Sequence, residues 1–154
     1  MSVNVTVAGI CYASLAGKQR GGQYMGITCK SLAIEEDLDR GIMVVAVTGK
    51  LDVEDYDVLG EEFDHMLERH GRVRLLIELK DFHGWTAGAA WEDARLGFRH
   101  YGDIEKMAIV GENKWQQGMT QFVRPFTRAE VRYFDAAANA DASADASDWV
   151  HAPE

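Results

Sequence analysis

The apolar and polar positions become regular from residue 27 onward and predict alternating strands and helices. "ITCKSLAI" (27–34) alternates loosely, as an edge strand does. "GIMVVAVTGK" (41–50) is a β-branched run bounded by Gly41 and Gly49, the pattern of a strand buried on both faces. Beyond it Val53, Tyr56, Leu59, Phe63, Met66, Leu67 and His70 recur at spacings of three and four with acids between them. That periodicity predicts an amphipathic helix, capped by Asp52 and stopped at His70 and Gly71.

"VRLLIEL" (73–79) predicts a second central strand, "KDFHGW" (80–85) a turn, and Thr86 the N-cap of a helix running to about residue 101. The apolar face of that helix is Trp91, Ala94, Phe98 and Tyr101. "EKMAIVG" (105–111) is a third buried strand, followed by a short helix carrying Trp115, Met119, Phe122 and Val123 and ended by Pro125. "AEVRYFD" (129–135) is a last strand, and the alanine-rich tail forms a weak helix with Ala142, Ala146, Trp149 and Val150 inward. Alternating strands and helices predict an α/β fold with a largely parallel sheet and right-handed crossovers. Ligands in such sheets sit beyond the carboxyl ends of the strands, here residues 49–52, 80–86 and 111–115. Residues 1–25 read as a flexible N-terminal extension, with "SLAGKQRGGQY" as linker or loop, and residues 26–154 as the domain.

Composition narrows the function classes. Hydrophobic residues at 47% and aromatics at 10% make a folded chain, and 154 residues make one domain. No stretch approaches the roughly 18 consecutive apolar residues of a membrane-spanning helix. No secretory pattern opens the sequence, so a cytoplasmic protein is expected. Cys11 and Cys29 are too few and too local for a disulfide framework or a zinc site, so both are expected to be reduced thiols. The net charge of −9 excludes general nucleic-acid binding, whose affinity comes from neutralising phosphates. Residues 35–68 carry twelve acids against Arg40 and Lys50, while residues 95–134 carry seven bases against four acids. Two ordinary solvated helix faces account for both blocks; if the fold keeps the segments apart, one face is acidic and another mildly basic.

Catalytic chemistry finds little footing. Gly84 and Gly88 lack the Lys–Ser/Thr ending of a phosphate loop, and no Gly-x-Gly-x-x-Gly follows a strand. The five histidines include no His-x-x-x-His pair, and no metal or cofactor is expected. Thr86, with His83 three residues away, lacks the terminal amine that activates a threonine nucleophile. Asp81, Glu92 and Asp93 could approach as an acid–base set, but Glu92 and Asp93 fall on the outward side of their helix. Near its N-terminus the helix dipole stabilises them without any reaction. The chain therefore reads as non-enzymatic, an enzyme using Asp81 or His83 being the least supported alternative.

The aromatics are the stronger signal. Each can bury ~150–250 Å², so packing explains any one of them. Yet Trp85, Trp91 and Trp115 gather with Phe82, His83 and Phe122 at one end of the sheet, as an apolar ligand site would. Lys114, Arg124 and Arg128 stand nearby in sequence as candidate contacts for anionic lipid headgroups.

Over residues 32–150 the chain resembles the SpoIIAA-like family of small bacterial proteins, relatives of the STAS domain of anti-sigma-factor antagonists. The resemblance is carried by "TGKLDVEDYD", "RHGRVRLLIELKDFHGWTAGAAWED", "GFRHYGDIEKMAIVGENKW" and "PFTRAEVRYFD". It implies a STAS-like sandwich with a mostly parallel sheet and helices largely on one face. STAS antagonists carry a phosphorylatable serine after the central strand; "DFHGWT" has none, which leaves Thr86 as the candidate acceptor. A phosphate there would add about −1.5 to −2 charges beside Asp81, Glu92 and Asp93. The helix N-terminus offsets part of that repulsion. The resemblance further implies a regulatory protein partner or a homodimer. Through a topology similar to lipid-binding CRAL-TRIO domains, it also implies a small apolar or lipid-like ligand and peripheral membrane association. The expectation is a non-enzymatic STAS-like binding module.

Overall fold

Among the described residues, eight strands form a single sheet in the order of the chain. The computed structural model describes residues 4–7, 11–14, 24–29, 31–99, 102–112 and 128–153. Strands β1 (Asn4–Val7), β2 (Cys11–Ser14), β3 (Tyr24–Thr28), β4 (Leu32–Asp37) and β5 (Ile42–Leu51) pair antiparallel. From β5 the pairing turns parallel through β6 (Val73–Trp85), β7 (Ile104–Gly111) and β8 (Glu130–Asp135). Helix α1 (Val53–His70) links β5 to β6, α2 (Ala87–Arg99) links β6 to β7, and α3 (Ala142–His151) follows β8. The sheet is thus mixed, and the expected parallel order holds only from β5 onward.

Local chemistry explains the elements. Asp37 ends β4 by accepting the Asp39 and Arg40 amides on Oδ1, at 3.1 and 3.2 Å, which turns the chain into β5. "ITCKSLAI", expected as one strand, splits between β3 and β4. The Cys29 amide donates to the Leu32 carbonyl at 2.7 Å across the turn. Asp52 caps α1 through a reciprocal pair with Asp55, at 2.9 and 3.2 Å, and Gly71 closes the helix in the left-handed conformation with φ 74°. Both helix ends are as expected. Residues 4–7 and 11–14, in the stretch read as an extension, add two strands to the same sheet.

Cys29 is disulfide-bonded, which corrects the expectation of reduced thiols. The other cysteine of the chain is Cys11. With Tyr12 opposite Thr28, the β2–β3 register carries the segments of the two cysteines alongside each other. Sequence spacing hid this, because the pairing of β2 with β3 is not written in their apolar pattern. One ground for the cytosolic expectation goes with it.

The two sheet faces carry separate cores. On one, Tyr56, Phe63 and Met66 of α1 and Ala89 of α2 pack on Ile34, Met43, Val45, Val47 and Leu75. On the other, Ala142, Ala146 and Val150 of α3 pack on Ile42, Leu76, Ala108 and Val110, with Trp149 against the rim. The inward positions expected for the tail helix are therefore the ones that pack. Two cations hold its end: Arg74 donates to the Val150 and Ala152 carbonyls at 3.0 and 2.9 Å, and Lys106 to Ala152 at 3.0 Å. Cations at a helix C-terminus meet its orphan carbonyls and the negative pole of its dipole. Arg74 also pairs with Glu105 at 2.8 Å, and Lys106 lies 5.3 Å over the Trp149 ring.

Candidate functional site

The site begins where β5 and β6 lose register. The strands pair evenly from Ile42 with Arg74 to Thr48 with Lys80; then Gly49 faces Phe82, Lys50 faces Gly84 and Leu51 faces Trp85. Asp81 and His83 are the two residues that β6 inserts. "KDFHGW" is therefore a bulged continuation of the strand and not the turn its glycine and charges predicted. Gly84 at φ 96° and Gly49 at φ 72° supply the left-handed geometry on the two strands, and Asp81 adopts φ 45°. The bulge sorts the side chains: Phe82 turns into the main core at 6% exposure, while Asp81 and His83 face solvent.

Thr86 follows directly. Its amide donates to the Leu51 carbonyl at 3.0 Å, its Oγ1 accepts the Ala89 amide at 3.2 Å, and its carbonyl accepts the Ala90 amide at 3.0 Å. It is the N-cap of α2, as expected, and its half-buried hydroxyl is committed to that role. Two residues on, a Cβ at Gly88 would lie 2.8 Å from Cγ2 of Val53, so a side chain there would require the Val53 side chain or the start of one helix to shift.

Farther along, the two helices border a groove of about 470 Å³. Asp57, Glu61 and Glu68 line it from α1, and Glu92, Arg95 and Arg99 from α2. Arg99 bridges the helices to Asp64 at 3.0 Å, and Arg95 lies 3.7 Å from Glu92. Glu92, expected on the outward side of α2, is half-buried in this groove. No described contact joins it to Asp81, and the side chain of Asp93 lies outside the described residues. The groove is polar and of mixed sign, suited to charged side chains rather than hydrocarbon.

Of the expected apolar corner, the structure places Phe82 in the core and His83 on the surface. Trp85 closes β6 opposite Leu51 and Trp91 lies in α2, but their side chains lie outside the described residues. So do Trp115, Phe122, Lys114 and Arg124, together with the short helix expected there. Arg128 is exposed just ahead of β8. Among the described residues, no three of His, Cys, Asp and Glu gather as metal ligands, and no helix is long and apolar enough to cross a membrane.

One pair went unread in the sequence. Glu36 on β4 and Glu62 on α1 are 1% and 7% exposed and lie close enough to act on each other. Burial first, then the charge of Glu62, then hydrogen bonding toward it push Glu36 up to about 8. The signal was present: Glu36 takes the inward place after Leu32 and Ile34, and Glu62 interrupts the apolar series of Leu59, Phe63 and Met66. Burial also raises the carboxyl of Asp55 above its ordinary value.

A family model described as SpoIIAA-like matches residues 42–151. No curated protein matches the chain. Among solved structures, an uncharacterised protein of the DUF3478 family with a SpoIIAA-like fold, from Shewanella loihica PV-4, superposes with a TM-score of 0.61 at 28% identity. The match covers 78% of this chain and 92% of that one.

Proposed function

The chain belongs to the SpoIIAA-like family, and on that premise we propose that it is a non-catalytic regulatory module whose α1–α2 face docks a protein partner. The observation that carries this reading is the polar groove between the helices, with acids from α1 opposed by Arg95 and Arg99 of α2. Fixed charges of both signs along a groove select a partner by complementarity and set its register. Thr86 stands at the α2 end of the same face, so a modification there would act on the helix that forms one wall. The test is affinity capture from a bacterial lysate with wild type, an Arg95→Glu/Arg99→Glu double variant and an Arg128→Glu control, read by mass spectrometry. A partner retained by wild type and control but lost by the double variant supports the reading. The same proteins on all three baits, or none on any, sinks it.

A second reading, a small apolar or lipid-like ligand held at the β6 end and shared with a membrane surface, is supported by the backbone. Phe82 and Trp85 stand at the bulged end of β6, and α2, which carries Trp91, begins directly after it. Native mass spectrometry of the purified protein should then show a bound species. A clean apo mass with no tryptophan response to fatty acids or liposomes rejects it. An enzyme built on Asp81 or His83 has the least support, since both lie exposed on the bulge.

A further inference from the structure

Glu36 and Glu62 face each other across the contact between α1 and the antiparallel half of the sheet. Two carboxyl groups buried side by side do not both stay ionised, because their like charges repel where water cannot screen them, and a proton held by one gives it a donor toward the other. Each also buries an oxygen with no hydrogen-bond partner, Oε1 of Glu36 and Oε2 of Glu62. We propose that this pair shares a single proton, and that the proton latches the middle of α1 to β4 and is released in alkaline solution. The inference is separate from the docking reading and needs no partner to be tested.

Among the described residues, the surroundings offer the pair little other compensation. The residues opposite Glu36 in the sheet are Met25 on β3 and Met43 on β5, neither of which titrates. On β4 itself, Glu35 is exposed and Asp37 is held by Arg40 at 3.6 Å and by two turn amides. From α1, His65 places Nδ1 3.8 Å from Oε2 of Glu62, and Phe63 and Met66 fill the space beside it. His70, at the end of α1, shares a 2.9 Å hydrogen bond with the Leu38 carbonyl. A second negative charge in this setting meets a like charge in a low-dielectric contact.

The sign follows from linkage. Glu36 is raised in the folded chain from 4.5 to about 8, so between those values the folded chain keeps a proton that the unfolded chain has lost. Its stabilisation is complete below 4.5, declines as pH rises and is gone once pH passes about 8. For one proton the equilibrium constant changes by at most about tenfold per pH unit.

The experiment uses the full chain and two readouts. Infrared spectroscopy should show a protonated carboxyl band at pH 6 that fades with a midpoint near 8. Hydrogen exchange, corrected for intrinsic rates, should show protection of α1 amides around Glu62 falling by at least about tenfold between pH 6 and pH 9. Glu36→Gln keeps the shape and donates an amide to Glu62, so it should lose both the band and the fall. The histidines of α1 are present in both proteins, so the difference isolates Glu36. No protonated band in wild type at pH 6, or an equal fall in the variant, overturns the proposal. If Glu36→Gln does not fold, Glu62→Gln takes its place, and the wild-type infrared titration decides on its own.

Discussion

At the residue scale, two side chains around the β6 bulge hold opposite kinds of commitment. Thr86 accepts the Ala89 amide on its hydroxyl oxygen, so Thr86→Ala should lower unfolding stability by about 0.5–2 kcal/mol, and Thr86→Ser should restore most of it. Denaturant titration of the three proteins decides; an Ala variant as stable as wild type removes the cap assignment. Asp81 sits at φ 45°, a conformation an aspartate tolerates and a β-branched residue resists. Asp81→Val should therefore cost about 1–2 kcal/mol relative to Asp81→Gly. Equal midpoints for those two variants would place the cost elsewhere. Thr86 could be read from sequence because capping is local chemistry. The bulge could not, since Gly84 among polar neighbours signals a turn as readily as a break in register. Only the opposing strand, with Gly49 at the matching height, settles which.

At the element scale, the strands from β5 onward and helices α1 and α3 were legible because their apolar periods match the faces they bury, while the stripe expected on α2 lies outside the described residues. The N-terminal strands were not: their short runs acquire meaning only when paired, and pairing is a long-range property. The same distinction separates the two kinds of helix packing. α1 is held by its own stripe, and Phe63 at 3% exposure is central to it. Phe63→Ala should cost about 3–5 kcal/mol in global unfolding. α3 is short, alanine-rich and weakly amphipathic, so it depends on the cations at its end. Arg74→Ala removes bonds to Val150 and Ala152 and leaves Glu105 without that partner. Hydrogen bonds to a charged group contribute about 1.5–3 kcal/mol each. Limited proteolysis should therefore release the C-terminal segment of Arg74→Ala well before the remaining domain is cut. Cleavage at the same rate and in the same order as wild type would show that apolar packing alone retains α3.

At the scale of the whole molecule, the family match starts at Ile42, with β5, whereas the sheet extends four strands farther toward the N-terminus. Those strands bear on stability as well as topology. Ile27 of β3 is 2% exposed and belongs to the main core, and Glu36 of β4 meets α1. A chain beginning at Ser31 keeps β4 but removes its partner, opening a row of unpaired backbone groups beside the apolar side chains of Leu32 and Ile34. Open edges of that kind pair with one another between molecules. The shortened chain should melt at lower temperature than the full one and should associate as its concentration rises, measured by calorimetry and light scattering. A monomer with an unchanged midpoint would show that the matched region is self-sufficient and that β1–β3 are an addition to it. Association that disappears when Ile34 is replaced by Lys would instead confirm that the exposed edge and its apolar row drive it. In that case the antiparallel half is the cover that keeps the parallel half, with its helices and groove, from pairing with copies of itself.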